Sequence, residues 1–203
     1  MNQMRRKNEN MNHGRAIRIG IGGGTGSGKT TLSLQLKQKL VEYRVALFHM
    51  DKYYKSVRPM SKAPFTNTVF EDFNHPDAVN IQRLTDEIEQ AARCGDHDVI
   101  VIEGFLLYQF EDLRNSLDLK LFVDCPADER MLRRNRRFME KGHREESVIQ
   151  EYLQLVRYRH DQYVEPTRWH ADLVMNGSVE GKLGCAVVMD WIQARVQDSR
   201  KHR

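Results

Sequence analysis

Cysteine is scarce in this chain of 203 residues: Cys94, Cys125 and Cys185 are odd in number and far apart. That spacing excludes a disulfide framework and paired zinc ligands, and it points to a reducing, cytoplasmic setting. Long apolar runs are missing too. The runs at residues 99–102 and 105–108 are separated by Glu103 and Gly104, and neither approaches the ~20 apolar residues of a membrane span. The opening MNQMRRKNEN is basic without an apolar stretch behind it, so no secretory signal is expected. Among the histidines, His49, His75, His97, His143, His160 and His170 show no metal-ligand spacing and read as surface or structural residues. Trp169 and Trp191 read as packing residues. The dinucleotide pattern G-x-G-x-x-G does not occur in the glycine-rich stretch, which disfavours a nicotinamide or flavin enzyme.

What is present suits one globular α/β domain. Hydrophobic residues make up 40% and charged residues 30%, which excludes wholesale disorder, and the length fits a single core. The net charge of +4 is unevenly placed: residues 130–144 carry +6, the first ten +2 and the last nine +3, leaving −7 for the rest. One local basic cluster suits a small polyanion better than a nucleic acid, which would need positive charge spread over a face. The basic ends read as solvated tails, residues 1–15 and 197–203, around a domain at 16–196.

Hydrophobic periodicity predicts strands over 16–22, 45–50, 98–103, 119–124 and 171–176. It predicts helices over 29–41, 80–94, 110–117, 126–141, 145–164 and 180–196. Residues 52–79 hold three prolines and no sustained period, the mark of a long functional or mobile loop. Alternating strands and helices imply a mostly parallel five-stranded sheet with helices on both faces. Ligands of such sheets bind beyond the carboxyl ends of the strands. The chemistry is therefore expected at residues 22–31, 51, 103–104 and 124–126.

Gly23-Gly24-Thr25-Gly26-Ser27-Gly28-Lys29-Thr30 matches G-x-x-x-x-G-K-[ST], after an apolar strand and opening a helix, with Thr31 next. Glycines let backbone N–H groups turn inward around phosphate oxygens, and the helix N-terminus adds positive potential. Lys29 is expected to stand exposed to the phosphates, and the Thr30 hydroxyl to reach Mg²⁺. Asp51 and Glu103 each close a predicted strand at the same sheet edge, where one carboxylate can hold a magnesium ion or its waters and another can accept a proton. Arg133, Arg134 and Arg137 share one predicted helix with Arg130 and Arg136, so the helix is a candidate lid over a triphosphate. Tyr53, Tyr54, Phe65, Phe70 and Phe73 can stack on an acceptor base or anchor the long loop.

Taken together, GGGTGSGKTT, HMDKYYKS, FNHPDAV, VIVIEGFLLY, LKLFVD, ADERMLRRNRR and ADLVMN resemble the uridine kinase and phosphoribulokinase-like kinases, over about residues 16–196. Nicotinamide riboside kinases belong to the same broad group. The resemblance implies a P-loop NTPase fold with an arginine-bearing lid helix, ATP and Mg²⁺. It also implies Asp51 as general base and Thr30 and Glu103, with Asp51, around the metal. Arg133, Arg134 and Arg137 would lie on the phosphates, with Lys29 and Arg134 taking part in catalysis. Tyr54, Asn74, Arg134 and Arg144 would lie near the acceptor.

The expected activity is transfer of the γ-phosphoryl of ATP to the 5′-hydroxyl of a nucleoside, uridine or cytidine. The alternatives are nicotinamide riboside or another small metabolite as acceptor, or a nucleotide-sensing P-loop protein. Neither a nucleic-acid nor a membrane partner is expected, and a homo-oligomer is compatible with the reading. Two departures stand out. Asn74 occupies the place of an acidic residue that binds ribose hydroxyls in uridine–cytidine kinases. The family's Tyr-Asp-Phe…His-x-Arg hairpin before strand DVIVIE is absent.

Overall fold

The computed structural model describes residues 15–179 and 181–201; the expected tail at residues 1–14 and the last two residues lie outside them. Five apolar segments form strands of one parallel sheet: β1 (Ile17–Gly22), β2 (Val45–His49), β5 (Val99–Glu103), β6 (Leu119–Asp124) and β7 (Leu173–Asn176), in the order β2-β5-β1-β6-β7. Two short strands, β3 (Met60–Lys62) and β4 (Val69–Glu71), pair antiparallel by themselves. The helices are α1 (Lys29–Lys39), α2 (Ile81–Arg93), α3 (Glu111–Asn115), α4 (Ala127–Met139), α5 (Glu145–Glu151), α6 (Arg157–Arg159) and α7 (Lys182–Lys201).

The strand VIVIE is buried along its whole length because both faces of the sheet are covered. Val99 and Val101 pack with Ile19, Ile21, Leu32, Leu36, Val188 and Ile192 beneath α1 and α7. Ile100 and Ile102 pack with Leu84, Ile88, Tyr108 and Phe122 on the opposite face. On that face β1 carries glycine: a Cβ at Gly22 would fall 2.5 Å from the Tyr108 ring, whose hydroxyl lies 2.9 Å from the Gly20 carbonyl. Arg18 also points there, buried, and its guanidinium is matched by Glu89 at 2.6 and 3.0 Å.

Register sets the site. Glu103 is level with Ile21 of β1 and His49 of β2, and Asp124 is level with Asn176. The carboxyl ends of the strands therefore open on one edge, as the alternating pattern required.

Four local expectations change. The stretch 52–79 contains the β3–β4 hairpin and two short 3₁₀ turns; three-residue strands are too short to leave a readable period. The run from 145 to 164 is helical but takes π-type turns at Tyr152–Val156 and His160–Val164 around α6. The last helix runs on to Lys201, so residues 197–201 are not a tail: Arg200 reaches Asp98 at 3.1 Å and lies over the Tyr43 ring. Trp169 is 90% exposed and does no packing.

Asp98 ties that helix end to the start of β5. Burial would push its carboxyl up, but the Arg44 side chain, the Arg44 backbone N–H and Arg200 outweigh it and hold it at about 2, against an ordinary 3.8. The stabilisation is complete above the ordinary value and is lost as pH falls through about 2. Asp98→Asn should lower unfolding free energy by roughly 2 kcal/mol at neutral pH, the scale of hydrogen bonds to a charged group. Urea melts should show the gap between variant and wild type closing as the wild-type carboxylate protonates.

Candidate active site

The loop between β1 and α1 is built by contacts only glycine permits. Gly26 has φ +76°, and a Cβ there would meet the Arg130 carbonyl oxygen at 2.4 Å; one at Gly24 would meet the Arg130 guanidinium at 2.6 Å. Ser27 N–H donates to the Gly24 carbonyl at 3.1 Å, closing the turn, and α1 begins directly after Gly28. The loop thus lies flat against the buried Arg130 of α4.

Lys29 does not stand free. It is buried, and its Nζ donates to the Gly24 carbonyl at 2.8 Å. Burial pushes the Lys29 ammonium below its ordinary value. Glu103 and Asp51 pull the other way, and Arg137 and Arg130 add to the depression.

Beside it, Glu103 Oε1 accepts from Thr30 Oγ1 at 3.0 Å and contacts His49 Nδ1 at 2.8 Å. A carboxylate only accepts, so that contact places a proton on His49 Nδ1. Asp51 opens the short turn Met50–Tyr53 after β2. Asp51 is exposed as a residue, yet its carboxyl lies among protein groups. That desolvation raises its carboxyl, with Lys29 opposing and Glu103 adding. Tyr54 packs edge-on against Phe73, ring centroids 5.1 Å apart. Burial raises its phenol, and the Asp51 charge adds to this.

On α4, Arg133 donates to the Gly177 carbonyl at 2.7 Å and pairs with Glu129; Arg137 reaches Thr25 Oγ1 at 3.2 Å. Both line a cavity of about 510 Å³ with Gly26, Gly28, Thr30 and Thr31. Arg134 turns away. It is buried, pairs with Glu151 at 2.7 Å and stacks over Phe138; one position along a helix from Arg133 is a different face. Arg144 is exposed and, among the described residues, pairs with Glu146 at 3.5 Å. The expected grouping of Arg134 and Arg144 with the site is not what the fold produces. Asn74 lies at intermediate exposure two residues past the buried Asp72, whose carboxylate accepts its backbone N–H at 2.9 Å.

Two residues that the sequence reading left aside belong here. Arg130 Nε donates to the Cys125 carbonyl at 3.0 Å, while its NH1 is buried without a partner against Gly24. His160, far from a surface position, packs on the same glycine. Burial, then Arg130, hold His160 down to about 4, so it is neutral at physiological pH. The adjacency of Arg130 to the basic cluster was the only available sign; His160 had none.

The arrangement suits a polyanion. Arg130 NH1 and Ser27 Oγ are buried and unsatisfied, and such donors cost about 1–3 kcal/mol each unless something accepts from them. The Thr30 hydroxyl and Glu103 carboxylate are hard oxygen donors of the kind magnesium selects. No group of three or more His, Cys, Asp or Glu able to hold a metal occurs among the described residues, so an ion here would complete its shell with phosphate oxygens and water.

Because burial disfavours Lys29 as a cation, Lys29→Met should leave the melting temperature unchanged or raised. The rise in melting temperature that ATP with magnesium gives the wild type should vanish, since stabilisation by a ligand follows its affinity. Paired thermal melts with and without nucleotide measure both effects.

Comparison with known proteins agrees with this geometry. A family profile described as an AAA domain matches residues 19–154. The uridine kinase of Chloroflexus aurantiacus is 33% identical over 183 residues, covering 79% of this chain and 86% of that protein. Uridine-cytidine kinase B of Dictyostelium discoideum is 29% identical over 192 residues, covering 83% and 78%. A solved structure from Bacillus stearothermophilus, described as a possible uridine kinase, shares the fold with a TM-score of 0.55 at 23% identity, over 86% of this chain and 96% of that one. With a phosphate loop on β1, acids on the neighbouring strand ends and relatives matched over most of their length, the chain belongs to the uridine kinase family of P-loop kinases.

Proposed function

We propose that this protein transfers the γ-phosphoryl group of ATP to the 5′-hydroxyl of a nucleoside, uridine or cytidine. The observation that carries the reading is Asp51 just after β2, its carboxyl raised by burial, within electrostatic reach of Lys29 and of Tyr54, which packs on Phe73. A phosphate-loop protein that only senses nucleotide has no use for a proton acceptor beside its phosphate-binding lysine. The named relatives support the nucleoside as acceptor.

The acceptor hydroxyl oxygen attacks the γ-phosphorus while the bond from that phosphorus to the β–γ bridging oxygen breaks, releasing ADP. Asp51 takes the hydroxyl proton. Charge spreads over the phosphoryl oxygens during the transfer, so fixed donors beside them are the main source of acceleration. Lys29 turns from the Gly24 carbonyl to the β- and γ-phosphates, and Arg137 and Arg133 close from α4. Thr30 and Glu103 would hold magnesium, which would supply positive charge to the phosphate oxygens. Arg134 acts as a strut between α4 and α5. Three free cysteines, two of them buried, support a cytoplasmic setting, and no described helix is long and apolar enough to cross a membrane.

Asp51→Asn should lower kcat with uridine by roughly 10²–10⁴, the range for losing a general base, with the KM for ATP little changed. In the wild type the acid limb of kcat/KM should sit above the ordinary aspartate range, activity falling as pH drops through it. In Asp51→Asn that limb should disappear. Steady-state kinetics across pH checks both. Full recovery of the variant at high magnesium would make Asp51 a metal ligand instead.

A further inference from the structure

A π-type turn adds a residue to a helical turn and rotates the side chains beyond it; such turns often mark functional positions. Two of them flank α6, and the second begins at His160. Arg159, one residue earlier, points to Asp72 at 2.7 Å, whereas His160 points to the phosphate loop. A Cβ built on Gly24 would meet Arg130 NH1 at 2.6 Å, and Arg130 Cδ and His160 Cε1 each at 3.0 Å. Guanidinium and imidazole together cover that face of the glycine, so nothing larger than hydrogen fits there. The carbonyl of the same glycine accepts from Lys29 Nζ at 2.8 Å and from the Ser27 N–H at 3.1 Å.

His160 stands there for its shape. Its Nε2 lies 3.3 Å from Glu165 Oε2, and a carboxylate only accepts, so the ring proton is on Nε2. Nδ1 is then a bare acceptor, buried and without a hydrogen-bond partner among the described residues. Glu165 is held in turn by Arg168 at 3.7 Å, which pairs with Asp124 at the end of β6 at 3.1 Å. The charged groups around the imidazole are Arg130 on α4, Lys29 on α1, Asp124 on β6, Asp161 on its own turn and Glu165 just after it. Burial first, then Arg130, keep the ring uncharged at neutral pH. His160 is not among the described residues lining the cavity of about 510 Å³ that holds Arg133 and Arg137, so it reaches a bound nucleotide only through the loop.

We propose that His160 is a positioning residue for the phosphate loop: its ring presses on Gly24 beside the Arg130 guanidinium, and so fixes the carbonyl that holds Lys29 and the place where Arg130 offers its unpartnered N–H. This rests on the kinase reading given above in taking ATP as the ligand of the loop, and not on which acceptor is used. Because the ring supplies shape and no hydrogen bond to the loop, a phenyl ring should serve in its place. It fills similar space and leaves no buried nitrogen unsatisfied.

The test compares wild type with His160→Ala and His160→Phe, by titration with ATP and magnesium, steady-state kinetics with uridine, thermal melts and NMR. His160→Ala should weaken ATP binding and raise the KM for ATP about tenfold, the equivalent of one hydrogen bond to a charged group. The KM for uridine should stay within about twofold. Amide exchange at Ser27 should quicken in that variant while residues 99–103 stay protected. His160→Phe should recover most of the ATP affinity and melt higher than wild type. In the wild type at neutral pH, the imidazole nitrogen shifts should show His160 protonated at Nε2 alone. Where His160→Ala does not fold, His160→Leu, which fills the space without a flat ring, is read by the same criteria. ATP affinity of His160→Ala equal to that of wild type would overturn the proposal. So would parallel rises in both KM values, a charged His160 at neutral pH, or a His160→Phe no better than His160→Ala. A wild type that binds ATP but leaves uridine unphosphorylated would refute the nucleoside reading, with the ATP titrations still deciding the role of His160. A wild type that binds no ATP would refute the kinase reading, and exchange at Ser27 would then decide whether His160 holds the loop.

Discussion

Glu103 holds the site together. One oxygen of its carboxylate accepts from Thr30 at the start of α1 and contacts His49 at the end of β2. Three elements separated in sequence are thereby fixed at one point. The contact exists because β5 lies between β1 and β2, with Glu103 level with Ile21 and His49. A slip of one residue in that register would turn Glu103 to the other face of the sheet. Register in turn rests on VIVIE being buried on both sides. The core that makes the protein stable is thus the same object that aligns its acids with its phosphate loop.

Around that point positive charge gathers. Lys29, Arg130, Arg133 and Arg137 converge on a loop that contains no acid of its own. Arg130 NH1 and Ser27 Oγ are buried without acceptors, and Lys29 is depressed by burial. Each feature costs stability and would be relieved by phosphate oxygens. The neutral His160 beside Arg130 adds no further positive charge at neutral pH, which keeps the repulsion bearable. Asp51 lies within electrostatic reach of Lys29 and of Tyr54, so the proposed proton acceptor stands near the phosphate-binding lysine.

Much of this was legible in the sequence because it is local. The glycine-lysine-threonine loop, the five strands and the acids at their ends are written in contiguous residues, and the structure places them at one sheet edge. What escaped depends on direction and distance. Arg133 and Arg134 are neighbours in the chain, but one faces Gly177 and the other Glu151, a choice made by α5 packing on α4. Arg130 looked like one more member of a basic run until the loop was seen lying on it. His160 and Arg159 come from a helix more than a hundred residues past the loop, where π-type turns set the phase of every side chain. The hairpin was invisible because three-residue strands carry no period. The last turn of α7 looked like a charged tail because its anchor, Asp98, is at the start of β5.

The proposed activity passes a phosphoryl group to an acceptor hydroxyl and does not merely hold or hydrolyse nucleotide. The most direct measurement is ATP turnover by the purified protein with magnesium, with and without uridine, with the products identified by mass. The account predicts that ADP forms in step with a nucleoside monophosphate and nearly stops when the nucleoside is withheld. ADP formation at the same rate without any acceptor, accompanied by inorganic phosphate alone, would contradict it.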